Sequence, residues 1–147
     1  PPPPPPFFFH AHHAIRDPLW SRGLGDVYKR QEYSVVKATK EADILSYPGV
    51  ITPTECFSAL NSGADGLKFF PASLLGEANL IAIKAVLPSD IPIYMVGGVG
   101  PENFSSWFKA GASGFGIGSG IYKAGESASA VAKKAESIIL SYDESLL

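Results

Sequence analysis

The chain has 147 residues, 46% hydrophobic and 18% charged, with a formal net charge of -2. This is an ordinary globular mix with length for one domain and a real core. No basic excess is present to neutralise a phosphate backbone, which argues against nucleic-acid binding. No apolar run approaches the ~20 residues that span a bilayer.

Pro1 to Pro6 is a homopolymer, followed by Phe7-Phe8-Phe9 and the histidines His10, His12 and His13. No helical or strand period survives here, and a polyproline run forms an extended, solvated helix. A Pro-rich ligand for an aromatic groove and a His-cluster metal site are two functional readings. The expectation is instead a leader over residues 1–31 that is foreign to the fold, disordered or artefactual. Its end, Gly-Leu-Gly-Asp-Val-Tyr-Lys-Arg-Gln, resembles translated adapter sequence. It lacks the basic and apolar regions of a signal peptide.

From Glu32 the chain alternates between helix and strand. A helix is expected over Glu32 to Ala42, then a strand Ile44-Leu45-Ser46-Tyr47 stopped by Pro48-Gly49. Thr52-Pro53-Thr54-Glu55 is a capping box with proline at the first helical position. That helix carries Phe57, Ala59 and Leu60 and stops at Gly63. Cys56, the only cysteine, is most simply a small buried residue on it. With no possible intrachain disulfide, the composition fits a reducing compartment.

Leu67-Lys68-Phe69-Phe70 is the second strand, stopped by Pro71. A helix runs from Glu77 to Leu87 and ends before Pro88. Ile93-Tyr94-Met95-Val96 is the third strand, broken by Gly97-Gly98. Pro101-Glu102-Asn103 opens a helix that closes at Gly111. Trp107 and Phe108 on it read as helix packing rather than a ligand cage. Phe115-Gly116-Ile117 is the fourth strand, followed by Gly118-Ser119-Gly120. In the last helix Ala128, Val131, Ala132, Ala135, Ile138, Ile139 and Tyr142 fall on one apolar stripe.

The strands start near residues 44, 67, 93 and 115, a nearly even spacing, and are mostly continuous apolar runs, as when both faces are buried. Strand–helix repeats with short loops predict a parallel sheet of the α/β class. A doubly wound sheet and part of a (β/α)₈ barrel both fit. A whole barrel takes roughly 200 residues or more, so residues 32–147 are too few for one.

Lys68 lies inside an apolar strand, where lysine is rarely found without a partner. Its head can snorkel past the strand end to water. Alternatively, desolvation favours the neutral amine, which attacks carbonyls. Gly97-Gly98 and Gly118-Ser119-Gly120 each follow a strand. Such glycines make tight turns, or let backbone N–H groups converge on an anion. Barrels often hold phosphate on the loops after their last two strands. The acidic residues are scattered, and no pair has metal-ligand spacing.

Leu67-Lys68-Phe69-Phe70-Pro71-Ala72-Ser73 resembles the lysine strand of the 2-keto-3-deoxy-6-phosphogluconate/phosphogalactonate aldolase family. Lys84-Ala85-Val86-Leu87-Pro88, Val96-Gly97-Gly98-Val99-Gly100-Pro101-Glu102-Asn103 and Gly116-Ile117-Gly118-Ser119-Gly120-Ile121-Tyr122-Lys123-Ala124-Gly125 match in order. Valine before the glycine pair and the Gly-Ser-Gly-Ile-Tyr-Lys ending resemble the phosphogalactonate branch more. The resemblance implies strands 5 to 8, the C-terminal half, of a (β/α)₈ (TIM) barrel over residues 32–147. It implies that Lys68 forms a Schiff base with the keto carbon of a phosphorylated keto-deoxy sugar acid and that Phe70 lines the pyruvyl site. Gly97, Gly98, Gly118 and Ser119 would hold the phosphate. It also implies that no metal or other cofactor is needed, that the full-length enzyme is a homotrimer, and that it is cytoplasmic or, in a eukaryote, organellar.

The family's acid–base glutamate lies on strand 2, and no glutamate of this chain takes that role. A half-barrel is also expected to strip the cover from one side of Lys68. A different phosphate-binding barrel, such as a relative of thiamine-phosphate synthase, is a second enzyme reading. Lysine followed by Phe-Phe-Pro argues against it. A half-barrel that binds phosphate without catalysis is the non-enzyme reading.

Overall fold

A computed structural model describes residues 33–147. The leader expected over residues 1–31 lies outside the described residues, as does Glu32.

The elements in order are α1 (Tyr33–Glu41), β1 (Gly49–Val50), α2 (Pro53–Asn61), β2 (Leu67–Phe69), α3 (Ala72–Leu75), α4 (Glu77–Lys84), β3 (Ile93–Val96), α5 (Phe104–Ala110), β4 (Gly114–Gly116) and α6 (Ala128–Glu144). The strands form one parallel sheet in chain order β1-β2-β3-β4. Parallel neighbours need crossover connections, and helices supply them.

The register assigns the two faces. Val50, Phe69, Met95 and Phe115 lie in one row across the sheet, and Gly49, Lys68, Tyr94 and Gly114 in the adjacent row. Adjacent rows point to opposite faces. Val50, Phe69 and Met95, with Leu67 and Ile93, join one core with Cys56 and Ala59 of α2, Leu80 and Ile83 of α4, and Trp107 of α5. The helices therefore cover the Phe69 face, and Lys68 belongs to the other.

Local chemistry explains the helix ends. Thr52 Oγ1 accepts from Glu55 N–H at 3.3 Å, and Glu55 Oε2 accepts from Thr52 N–H at 2.8 Å, the reciprocal capping box expected from the sequence. The same Glu55 oxygen accepts from Ile51 N–H at 2.9 Å. The turn after β1 is thereby tied to α2. Gly111 ends α5 at φ 98, and Lys84 Nζ donates to its carbonyl at 2.6 Å. A Cβ at Gly111 would meet only the flexible end of the Lys84 side chain, so it is the positive φ that calls for glycine.

The elements differ from expectation at several points, among them β4, which is Gly114–Gly116 rather than Phe115–Ile117. The first strand is Gly49–Val50 rather than Ile44–Tyr47. Ile44 and Leu45 are 50% and 58% exposed, and Ser46 enters only an isolated bridge. Pro48 lacks an N–H but still accepts at its carbonyl, from Lys68 N–H at 3.0 Å. It therefore joins the ladder it was expected to stop. The short helix α3 follows Pro71 where the sequence pattern gave none. The helix expected to reach Leu87 ends at Lys84. The strand at Ile93–Val96 and the start of α6 at Ala128 fall where the sequence places them.

Candidate active site

Lys68 sits in the middle of β2 with 4% of its surface exposed, the buried charged residue of the described chain. Its row neighbours are Gly49 on one side and Tyr94 on the other. A lysine uncovered on one side, as expected for a half-barrel, is not what forms: Lys68 is enclosed.

Aromatic rings and glycines pack together on the neighbouring strands. Tyr47 and Tyr94 meet edge to face, 5.4 Å between centroids. A Cβ on Gly66 would lie 2.8 Å from the Tyr47 ring, and one on Gly114 would lie 3.1 Å from the Tyr94 ring. These glycines are small because large rings from neighbouring strands lie over them. Close-packed interiors match large to small in this way.

The C-terminal ends of β2 and β3 form one unit. Phe70 packs on Gly97, whose missing Cβ would lie 2.9 Å from the ring, and Gly97 has φ 86. Gly98 has φ 78, and its missing Cβ would lie 2.7 Å from the Ser73 Cβ. Ser73 N–H donates to Gly97 C=O at 3.0 Å. Asn103 knits the rest of the loop: its Oδ1 accepts from Gly100 N–H and its Nδ2 donates to Gly98 C=O, both at 3.0 Å. The structure thus brings Phe70, Gly97 and Gly98 together next to the lysine strand.

Gly118 and Ser119 lie on the next loop, after β4. Gly118 C=O accepts from Ile121 and Tyr122 N–H at 3.0 and 3.2 Å, and Ser119 is exposed. Among the described residues no hydrogen bond joins Gly118 or Ser119 to the Gly97–Gly98 loop. The far end of the loop is fixed by Glu126, which accepts from Lys123 N–H at 3.0 Å and pairs with Lys134 of α6. The Lys134 ammonium and the Lys123 N–H hold the Glu126 carboxyl below its usual range. A cavity of about 360 Å³ lies between the two loops and α6, bordered by Val99, Glu102, Ile117, Gly120 and Lys134. Gly98 and Ser119 do not border it.

Other titratable groups serve the framework. Cys56 is fully buried, and burial together with the Glu55 charge pushes its thiol up to about 12. Asp65 loses some solvation, but hydrogen bonds from Lys40 (2.7 and 2.9 Å) and Ser46 N–H (2.8 Å) prevail and hold its carboxyl below the usual range. Among the described residues no group of three or more His, Cys, Asp or Glu could hold a metal ion. None of the described helices is long and apolar enough to cross a membrane.

Sequence reasoning did not foresee how Tyr47, Tyr94 and Ser73 pack against neighbouring strands and loops. Strand alternation through Ile93-Tyr94-Met95 places Tyr94 on one face but cannot say that this is the face of Lys68. Register decides that.

The sequence model of the KDPG and KHG aldolases matches residues 31–135. The chain is 48% identical over 99 residues to 2-dehydro-3-deoxy-6-phosphogalactonate aldolase of Escherichia coli (strain K12), covering 67% of this chain and 48% of that protein. It is 45% identical over 112 residues to a probable 2-dehydro-3-deoxy-6-phosphogalactonate aldolase of Rhizobium meliloti (strain 1021), covering 76% and 53%. A solved native KDPGal structure superposes with a TM-score of 0.75 at 42% identity, over 78% of this chain and 55% of that one. Thiamine phosphate pyrophosphorylase from Pyrococcus furiosus, at 24% identity and a TM-score of 0.62, shares the fold alone. The chain spans about half the length of the curated relatives it matches. With the family's sequence pattern running through most of the described residues, the chain belongs to the KDPG and KHG aldolase family.

Proposed function

We propose that residues 32–147 are strands 5 to 8 of a (β/α)₈ barrel. They would carry the lysine and phosphate loops of a class I aldolase that cleaves 2-dehydro-3-deoxy-6-phosphogalactonate to pyruvate and glyceraldehyde 3-phosphate. The observation that carries this reading is Lys68, enclosed at 4% exposure on the sheet face opposite the helices, with Phe70 and Gly97 packed at its strand end.

The chemistry follows from the amine. Desolvation disfavours the ammonium form. Neutral Nζ adds to the keto carbon, water leaves, and a protonated imine remains, a covalent intermediate that splits one hard step into easier ones. As the C4 hydroxyl loses its proton, the C3–C4 electron pair flows into the imine. Glyceraldehyde 3-phosphate departs, and the enamine on Lys68 takes a proton at C3 and hydrolyses to pyruvate. Gly97, Gly98, Gly118 and Ser119 would hold the phosphate end through backbone N–H groups.

The proton transfers need a placed acid–base group, worth about 10²–10⁴-fold, and residues 32–147 contain no glutamate in that role. Retro-aldol turnover by this chain is therefore expected to be a trace at most, while imine formation persists. A phosphate-binding half-barrel without catalysis is the second reading, resting on the positive-φ glycines Gly97 and Gly98 alone. Borohydride reduction in the presence of pyruvate separates the two. A stable adduct on Lys68, absent from Lys68→Ala, supports the aldolase reading. No adduct in either protein leaves only the second. Comparing trace cleavage of phosphogalactonate and phosphogluconate substrates tests the epimer. Val96 before the glycine pair and the names of both curated relatives favour phosphogalactonate.

A further inference from the structure

Gly98 and Ser73 share one space. The side chain that Gly98 lacks would have run into Ser73, 2.7 Å from its Cβ and 3.3 Å from its Oγ. Ser73 fills the position that a side chain at residue 98 would otherwise occupy. Its backbone is anchored there, with N–H donating to Gly97 C=O at 3.0 Å. The residue is nevertheless exposed. No hydrogen bond to the Ser73 hydroxyl is found among the described residues, whereas Ser58, Ser62, Ser106 and Ser145 each donate theirs to a carbonyl or carboxylate. Ser73 thus brings an uncommitted donor from the lysine-strand loop to the glycine loop of the neighbouring strand.

We propose that Ser73 is a binding residue for the phosphate monoester, its hydroxyl donating to a phosphate oxygen held at Gly98. The inference rests on reading Gly97-Gly98 as a phosphate loop and adds a side-chain donor from a different strand to it. A backbone loop alone recognises an anion. A hydroxyl delivered from β2's end also fixes the ester's orientation relative to Lys68, because both come from one short segment.

The test is a titration of the full chain with inorganic phosphate, followed by ¹⁵N amide shifts, on the native protein, Ser73→Ala and Ser73→Thr. Alanine keeps the Cβ that packs on Gly98 and removes only Oγ, so thermal unfolding is expected to be unchanged. The midpoint of the Gly98 amide shift should rise about five- to tenfold in Ser73→Ala, from the loss of one hydrogen bond to a charged acceptor. Ser73→Thr should restore it to within about twofold. Equal midpoints in the native protein and Ser73→Ala overturn the role of Ser73 and leave the loop assignment standing. An absence of Gly98 shifts in the native protein overturns the phosphate loop and this inference together.

Discussion

Helices α2 and α6 both read clearly from the sequence, yet they end in opposite surroundings. The nine residues of α2 bury Cys56 and Ala59 completely. The seventeen residues of α6 bury none, and Ile139 and Leu140 are 58% and 64% exposed. An apolar stripe says which side of a helix wants cover; neighbours decide how much cover it receives. Cys56 and Ala59 of α2 share one core with Val50 of β1 and Leu67 and Phe69 of β2, and α1 lies beside α2, whereas α6 follows the last strand of the sheet. It docks through Tyr142, which meets Phe108 at 5.4 Å and Phe104 and Phe115 at 6.2 Å.

This contrast can be broken at its centre first. Cys56 should resist alkylation in the native protein at pH 8. A thiol pushed from 9.0 to about 12 carries about 10³-fold less thiolate, and burial adds to that protection. Labelling at the rate of a free thiol would show that α2 opens readily and that the two helices do not differ. Phe69→Ala removes a fully buried ring from the strand under α2 and should cost about 3–5 kcal/mol in denaturant unfolding. A loss under about 1 kcal/mol would mean that the β2 core is not the stable centre.

Tyr142→Ala tests the docking of α6. Its ring contacts with three phenylalanines should make the change cost about 2 kcal/mol, at about 0.5–1.5 per aromatic pair beyond area. Hydrogen exchange should accelerate along α6 while Cys56 stays protected. Exchange rising equally throughout the sheet would show that α6 is integral to the core. Ile139→Ala, at a mostly exposed position, should lie within about 0.5 kcal/mol of the native protein.

The edge at β1 offers a smaller, pH-dependent test. Asp65 joins Lys40 of α1 to the backbone of Ser46, and its carboxyl is held below the usual range. Its contribution is therefore present above the unfolded carboxylate pKa, about 4, and is lost as pH falls through the lower folded value. Asp65→Asn should cost about 1 kcal/mol at pH 7, from loss of the Lys40 pair, discounted because that pair is partly solvated, and from a weaker hydrogen bond to Ser46 N–H. The difference from the native protein should vanish in strong acid. A pH-independent difference would assign the effect to shape rather than charge.

Local chemistry wrote several features directly into the sequence. Thr52, Pro53 and Glu55 start α2 because their side chains satisfy the helix's first N–H groups within four residues. The apolar period ending at Tyr142 set α6, and Leu67 to Phe69 read as a buried parallel strand around an unexpected lysine. Family motifs at the same residues, and at Gly97-Gly98, pointed to the family.

Other features depended on which strand lies beside which, and no local rule contains that information. Pro48 could bond to β2 from beside β1 because Lys68 N–H needed only its carbonyl. Lys68 came to lie beside Tyr94 through the register of β2 with β3. Ser73 came to fill the space at Gly98 because the loops after those two strands pack together. Spacing along the chain proposed the chemistry of Lys68; its enclosure, its aromatic neighbour and the hydroxyl at the glycine loop arise only when residues distant in sequence share one end of a parallel sheet.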